Sequence, residues 1–317
     1  MTRLLNRGCS GVGGELRKAM LAVSGPMASG VMALALVAIL CNLTARTTKA
    51  QEPPYFVTYS QALEEPGNLE VSLMGMTAQP KDANGFFSPT LELEYGIKAW
   101  WTTELYLQGV AVANDSTIFT GFRWENRFRV LATEHRVNPV LYMEYEDING
   151  ADRSVLEVVG NDGIGDLQGS NAASRGEVQR ELEGKLILSS NARGWNFSQN
   201  TIAEKNLMGG PWEFGYALGA SRPLALAAEA RNCALCRERW AAGAEIYGGL
   251  GTTQSLGLHD TSHYAGPEVS YTPPRGPQID FSPQFGLNAN SASLLWRFKV
   301  SYEIQQFRDW FGRGGAR

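Results

Sequence analysis

Two cysteines three apart, Cys233 and Cys236, are the first residues in this chain whose spacing could do chemistry. A CxxC pair can act as a redox couple or as half of a metal site. Arg237 stands where haem attachment needs His, and no second pair completes a four-ligand zinc site. The pair therefore reads as a local disulfide in an oxidising compartment. The second candidate is LHDTSHY, in which His259 and His263 lie four apart around Asp260. On a helix that spacing could share a metal, but in a loop beside Gly257 it fixes no geometry. Ser262 beside His263 raises a Ser–His nucleophile of the kind lipid hydrolases use, yet neighbours on a strand point to opposite faces. His135 sits in a polar turn and reads as solvated. No catalytic residue, metal or cofactor is assigned on these grounds, and the chain is not read as an enzyme.

The third group is larger. Glu92, Glu94, Glu104, Arg123, Glu125, Arg127, Arg129, Glu144, Glu146, Glu181, Glu183, Lys185, Glu204, Glu245, Arg297, Lys299 and Glu303 fall in short alternating series among apolar residues. If the apolar face meets lipid, these charges line an enclosed lumen. They then either wet a pore that mildly prefers cations or polar solutes, since acids outnumber bases, or pair with one another and fill a closed barrel. Twelve strands enclose little more than side chains can fill, so both readings stand.

The elements that must position these charges show best at Ser293–Phe307. Leu294, Trp296, Phe298, Val300, Tyr302 and Ile304 alternate with Leu295, Arg297, Lys299, Ser301, Glu303 and Gln305, a period of two over a dozen residues. Alone, this could be the edge strand of a soluble sandwich, although it exceeds the usual 5–6 residues or so. It suits a tilted membrane strand of about 9–11 residues better, and the pattern recurs. Twelve strands are expected: Asn68–Thr77, Pro89–Ile97, Trp101–Ala111, Ser116–Leu131, Pro139–Glu146, Glu177–Ser189, Trp195–Lys205, Trp212–Arg222, Trp240–Leu250, His263–Thr272, Gln278–Leu287 and the closing stretch.

In the fourth strand, Ile118, Phe122, Trp124, Phe128 and Val130 are expected on the lipid face, opposite Gly121, Arg123, Glu125, Arg127 and Arg129. An even count puts both termini on one side. Gln79–Ser88, Asp147–Gly176 and Thr252–Ser262 then lie outside, and the turns at Lys98-Ala99 and Asn191–Gly194 inside. Val155–Val159, in the longest loop, reads as a strand extension above the membrane. Pro223–Cys236 (PLALAAEARNCALC) reads as a short helix at the periplasmic rim, with Pro at its first position. Trp100, Trp101, Trp124, Trp195, Trp212, Trp240, Trp296 and Tyr302 fall mostly near strand ends, as an interfacial girdle would; a sugar-binding groove is the alternative.

Composition fits an exported barrel. Arg3, Arg7, Arg17 and Lys18 precede the apolar run Val31–Leu40, and Thr48-Lys49-Ala50 offers a cleavage point, so 1–50 reads as a signal peptide. The large Leu40 before Cys41 argues against a lipoprotein. None of the 13 Phe, 8 Trp and 11 Tyr lies in that leader, so the part that folds is aromatic-rich. No apolar window after Ala50 is long enough for a membrane-spanning helix. The net charge of −4 argues against a nucleic-acid partner.

The phrases GFRWENRFRV, NPVLYMEYED, LEGKLILSSNARGWNFSQNTIAEKN and GAEIYGGLG resemble a family of bacterial outer-membrane barrels named for phenol-degradation pathways or as transporter-like proteins. The resemblance covers about Asn68–Phe307 and rests on alternation and turns. It implies an all-β, antiparallel transmembrane barrel of about twelve strands in the cell outer membrane. Residues 51–67 would be a periplasmic lead-in, 68–307 the barrel and 308–317 a tail. Phe307 resembles the terminal aromatic signal of such barrels, from which this chain departs by continuing to Arg317. The expected role is a passive or accessory channel for small polar or ionic solutes. The alternatives are a non-conducting structural or interaction barrel and a barrel lipid hydrolase. The expected partners are outer-membrane lipid and lipopolysaccharide, with the barrel-assembly machinery at the C-terminal strand.

Overall fold

The structure is a computed structural model that describes residues 53–226 and 233–312. The expected signal peptide lies outside them. Twelve antiparallel strands close into one barrel, each bonded to its neighbours in sequence and the first to the last. They are β1 (Leu69–Ala78), β2 (Phe86–Lys98), β3 (Trp101–Val112), β4 (Thr117–Arg129), β5 (Asn138–Asn149), β6 (Val178–Ala192), β7 (Trp195–Asn206), β8 (Trp212–Pro223), β9 (Trp240–Thr252), β10 (His263–Tyr271), β11 (Gln278–Gly286) and β12 (Leu294–Ile304). The seam runs from Leu69 opposite Ile304 to Ala78 opposite Leu295. Among the described residues no helix is long and apolar enough to cross a membrane, which says nothing of strands.

The strands are inside-out compared with a soluble barrel. Leu141 is 49% and Met143 62% exposed on the outer wall, while Tyr142 between them and Glu144 after them are buried. Phe285, Phe281, Trp296, Leu182 and Leu186 share the outer wall, and Glu94, Glu125, Lys185 and Arg297 are buried within. Alternation of period two produces both surfaces at once.

The phase breaks once in β4. Gln108 pairs with Gly121 and Gly109 with Phe119, which leaves Thr120 as an extra residue; Gly121 takes φ 151 there. A bulge of one residue reverses which side chains point inward. Ile118, expected on the lipid face, therefore packs against the buried interior cluster, and Phe119 takes the outer wall at 64% exposure.

Other segments differ from the sequence reading. Pro223 ends β8 rather than opening a helix. Of the expected rim helix, 227–232 lie outside the described residues; Arg237–Arg239 form one 3-10 turn beyond it. Phe307–Gly312 continues past β12 as a short helix, α2, following the four-residue α1 (Asn171–Ser174) in the β5–β6 loop. Trp124 pairs with Leu105 and Tyr145 in mid-strand, away from either rim.

The largest departures are two segments that run into the barrel. Residues 55–62, expected in a periplasmic lead-in, bond to inward side chains of β4, β7 and β9. Val155–Val159 does not extend a strand above the barrel. It turns back inside, where Val158 and Val159 are buried. Gly215 permits this: any Cβ there would strike the Val158 carbonyl. Apolar side chains drive both insertions, because Val57, Val158 and Leu167 share one buried cluster with Val110, Tyr247 and Leu295 from the wall.

Candidate functional site in the barrel lumen

The chain that precedes β1 enters from the end where both termini lie. Glu245 receives it: its Oε2 accepts from Val57 N at 3.0 Å, Thr58 N at 3.1 Å and Thr58 Oγ1 at 3.3 Å. Asn200 grips Tyr59 like a strand partner, accepting from its N at 2.6 Å and donating to its carbonyl at 2.9 Å. The Tyr59 hydroxyl donates to Glu125 at 2.8 Å. The segment then returns past Arg127, which donates to the Ala62 carbonyl at 3.1 Å, and Arg129, which donates to that of Gln61 at 3.3 Å. Side chains hold this insert, and no strand pairing fixes it to the wall.

The β5–β6 loop enters from the far end. Glu157 is its anchor, 2.7 Å from Arg123 Nη1 and 3.2 Å from Lys185 Nζ. Burial by itself would raise its pKa, but the Lys185 ammonium and the Arg123 guanidinium hold it down at about 2. Arg297 donates to the Val155 carbonyl and, at 3.1 Å, bonds the Tyr247 hydroxyl.

The inserts meet at mid-height. Leu156 lines the same small cavity, about 90 Å³, as Phe56, Tyr59 and Arg127. Arg127 binds Glu94 at 2.6 Å, Glu125 at 3.1 Å and Glu104, with its guanidinium 5.2 Å from the Tyr59 ring centre. Lys185 lies 2.8 Å from Glu183 and 4.2 Å from the Tyr142 ring centre. On either side of this layer the lumen widens to about 410 Å³, toward Gln61 and Arg129 at the terminal end and toward Glu146, Glu181 and Glu204 at the far end. The far chamber is strongly acidic. Burial, together with the charges of Asp166 and Glu213, pushes the Asp162 carboxyl on its wall well above the usual range.

All seventeen charged residues singled out in sequence lie on the inner side of the wall. Arg129 and Glu181 are only half-buried near the two mouths; Glu181 accepts from Asn206 at 2.9 Å. Glu303 accepts from Asn68 at 2.6 Å at the terminal end, and Lys299 lies 3.8 Å from both Glu70 and Glu92. Sequence reasoning missed Glu70, Glu268 and Asp280, which are buried; each sits between apolar neighbours in a strand, so the same alternation could have found them. Glu157 gave no such signal, standing alone in the apolar run VLEVV.

The chemistry-bearing candidates stay apart. The His263 ring lies between the Tyr216 hydroxyl at 3.2 Å and Thr261 Oγ1 at 2.8 Å, while the Ser262 hydroxyl donates to the Asp162 carbonyl at 2.9 Å. Ser262 and His263 thus form no nucleophile pair. His135 is exposed beside Thr133. Cys233 and Cys236 are joined as a disulfide.

No model of a known protein family matches the sequence, and no curated protein matches it, so the resemblance to the phenol-pathway barrels rests on its motifs alone. Solved structures of similar shape are bacterial outer-membrane barrels. An outer membrane channel from Pseudomonas putida F1 covers 80% of this chain and 100% of its own, at 11% identity and TM-score 0.48. The KdgM porin covers 74% and 98%, at 8% identity and TM-score 0.40. LpxR from Salmonella typhimurium covers 74% and 99%, at 10% identity and TM-score 0.39.

Proposed function

We propose that this protein is an outer-membrane channel for small polar or ionic solutes, in a state with its lumen closed. The outer wall is apolar and the interior is charged, the polarity a lipid-embedded barrel needs. The observation that carries the channel reading is how the lumen is closed. Two chambers of about 410 Å³ each face the two ends, and between them two non-strand segments pack against Arg127 and Lys185 of the wall, residues 55–62 held by side-chain hydrogen bonds and the β5–β6 loop by ion pairs and by backbone bonds at Gly160. Withdrawal of residues 55–62 would leave the twelve-stranded wall intact. In this reading outer-membrane lipid and lipopolysaccharide surround the apolar wall, the assembly machinery engages β12, and no residue acts as a catalyst.

A second reading, a non-conducting structural barrel, draws support from the filled mid-layer of Tyr59, Arg127 and Lys185. Swelling of proteoliposomes in polar solutes of graded size separates the two. The channel reading expects swelling by the smallest solutes, falling with size. Absence of swelling in vesicles shown to hold the folded barrel, both with the full chain and with one lacking residues 53–64, rejects it.

A further inference from the structure

Charge in the far half of the lumen does not balance. Glu144, Glu146, Asp152, Glu157, Glu183 and Glu204 crowd around two cations, Arg123 and Lys185. Arg123 is shared among four of these carboxylates, and Lys185 serves Glu157 and Glu183. Glu204 receives neither. It is only 6% exposed, yet no hydrogen bond or ion pair from the described residues reaches its carboxylate. It points at Glu146 and Glu157: one oxygen from each of the three lies within 4.8 Å of the others. Glu146, 1% exposed and 3.0 Å from Arg123, accepts a hydrogen bond at neither oxygen. A buried carboxylate without a partner is strongly disfavoured and takes up either a proton or a cation, and three carboxylates facing one another offer a cation shared oxygen ligands.

Among the described residues two other acidic trios lie in the lumen, and in both every carboxylate is ion-paired to a protein cation, whereas here Arg123 pairs with Glu146 and Glu157 but not with Glu204. Lys185 and Arg123 serve the Glu144–Glu157–Glu183 group, and Arg127 and Lys299 the Glu92–Glu94–Glu104 group. The Glu146–Glu157–Glu204 trio differs in its free Glu204 and in opening on the far chamber of about 410 Å³, through which an ion and its waters can enter. Donors that are all carboxylate oxygen suit hard divalent cations.

We propose that Glu146, Glu157 and Glu204 hold one divalent cation, calcium or magnesium, at the floor of the far chamber. The ion ties the β5–β6 loop to β5 and β7 and supplies the missing charge. This site is independent of whether the lumen conducts.

Isothermal titration of the purified full chain in detergent, with CaCl2 and separately MgCl2 at constant ionic strength, tests it. The variants are Glu204→Gln and Glu177→Gln; Glu177 lines the same chamber but is exposed and outside the trio. One saturable cation per chain is expected, with a Kd below about 1 mM. Glu177→Gln should match the parent, and Glu204→Gln should bind about tenfold more weakly or worse, since affinity follows ligand charge. Circular dichroism verifies folding, and Glu204→Asp, which keeps the charge but shortens its reach, substitutes if the Gln variant does not fold. The proposal is overturned if no saturable heat appears, if NaCl reproduces it, if Glu204→Gln binds like the parent, or if Glu177→Gln loses binding equally.

Discussion

Replacing Glu245 with Ala should release the insert that closes the terminal half of the lumen. One carboxylate oxygen accepts from Val57 N, Thr58 N and Thr58 Oγ1 at 3.0, 3.1 and 3.3 Å, and the other from Gln284 at 2.9 Å. A hydrogen bond to a charged acceptor is worth about 1.5–3 kcal/mol, and three on one oxygen do not sum. Water entering from the neighbouring cavity would satisfy part of what is lost. A net weakening of about 2–3 kcal/mol remains, which raises the released population roughly 30–150-fold at 1.4 kcal/mol per decade. The readout is modification of Val57→Cys by a membrane-impermeant, charged thiol reagent, with and without Glu245→Ala. Val57 is almost fully buried, and the chain's Cys233 and Cys236 are paired, so neither competes. The double variant should react tens of times faster. Rates within twofold of one another would show that Glu245 does not hold the segment.

Three further outcomes are expected. Phe298→Arg should lose heat-modifiable gel mobility, because a guanidinium on the outer wall near mid-strand costs about 2–4 kcal/mol in lipid, whereas Lys299→Leu on the inner side should assemble; the reverse result would mean the outer wall does not face lipid. The Glu157 carboxyl is held at about 2, below its ordinary value near 4.5, so its ion pairs stabilise loop docking fully above that ordinary value and lose that contribution as pH falls toward 2. Proteolysis of the β5–β6 loop should accordingly be slow at neutral pH and accelerate on acidification with an acid-stable protease, and equal rates at both pH values would contradict the anchor role. Intact-mass analysis of the chain without its leader should show Cys233 and Cys236 blocked to alkylation before reduction; two free thiols would refute the pairing.

How much was legible in sequence depended on whether a strict period governed the residue. Strands such as β6 and β12 display their phase in every second residue, since one face meets an apolar surface and the other a charged one. The same rule placed Arg127 and Lys185 on the inner wall. It failed at Ile118, where the Thr120–Gly121 bulge reverses the phase without a distinctive local composition. It was silent about chain that pairs with no strand. YFVTY near the N-terminus and VLEVV in the long loop are short apolar runs, and nothing local distinguishes a strand from a plug. Their positions are decided by partners far away in sequence, Glu245 and Asn200 for one and Arg123 and Lys185 for the other. The seventeen charges were thus assigned to a lumen without the two segments that occupy it.

Whether residues 55–62 close a conducting lumen is decided by single-channel recording in planar bilayers, comparing the full chain with one lacking residues 53–64. A small or only intermittently open conductance is expected for the full chain. A larger, steadier one is expected for the shortened chain, whose terminal half is cleared while the strand wall is unchanged. Inserted, folded barrels that carry no current in either form would contradict the channel reading.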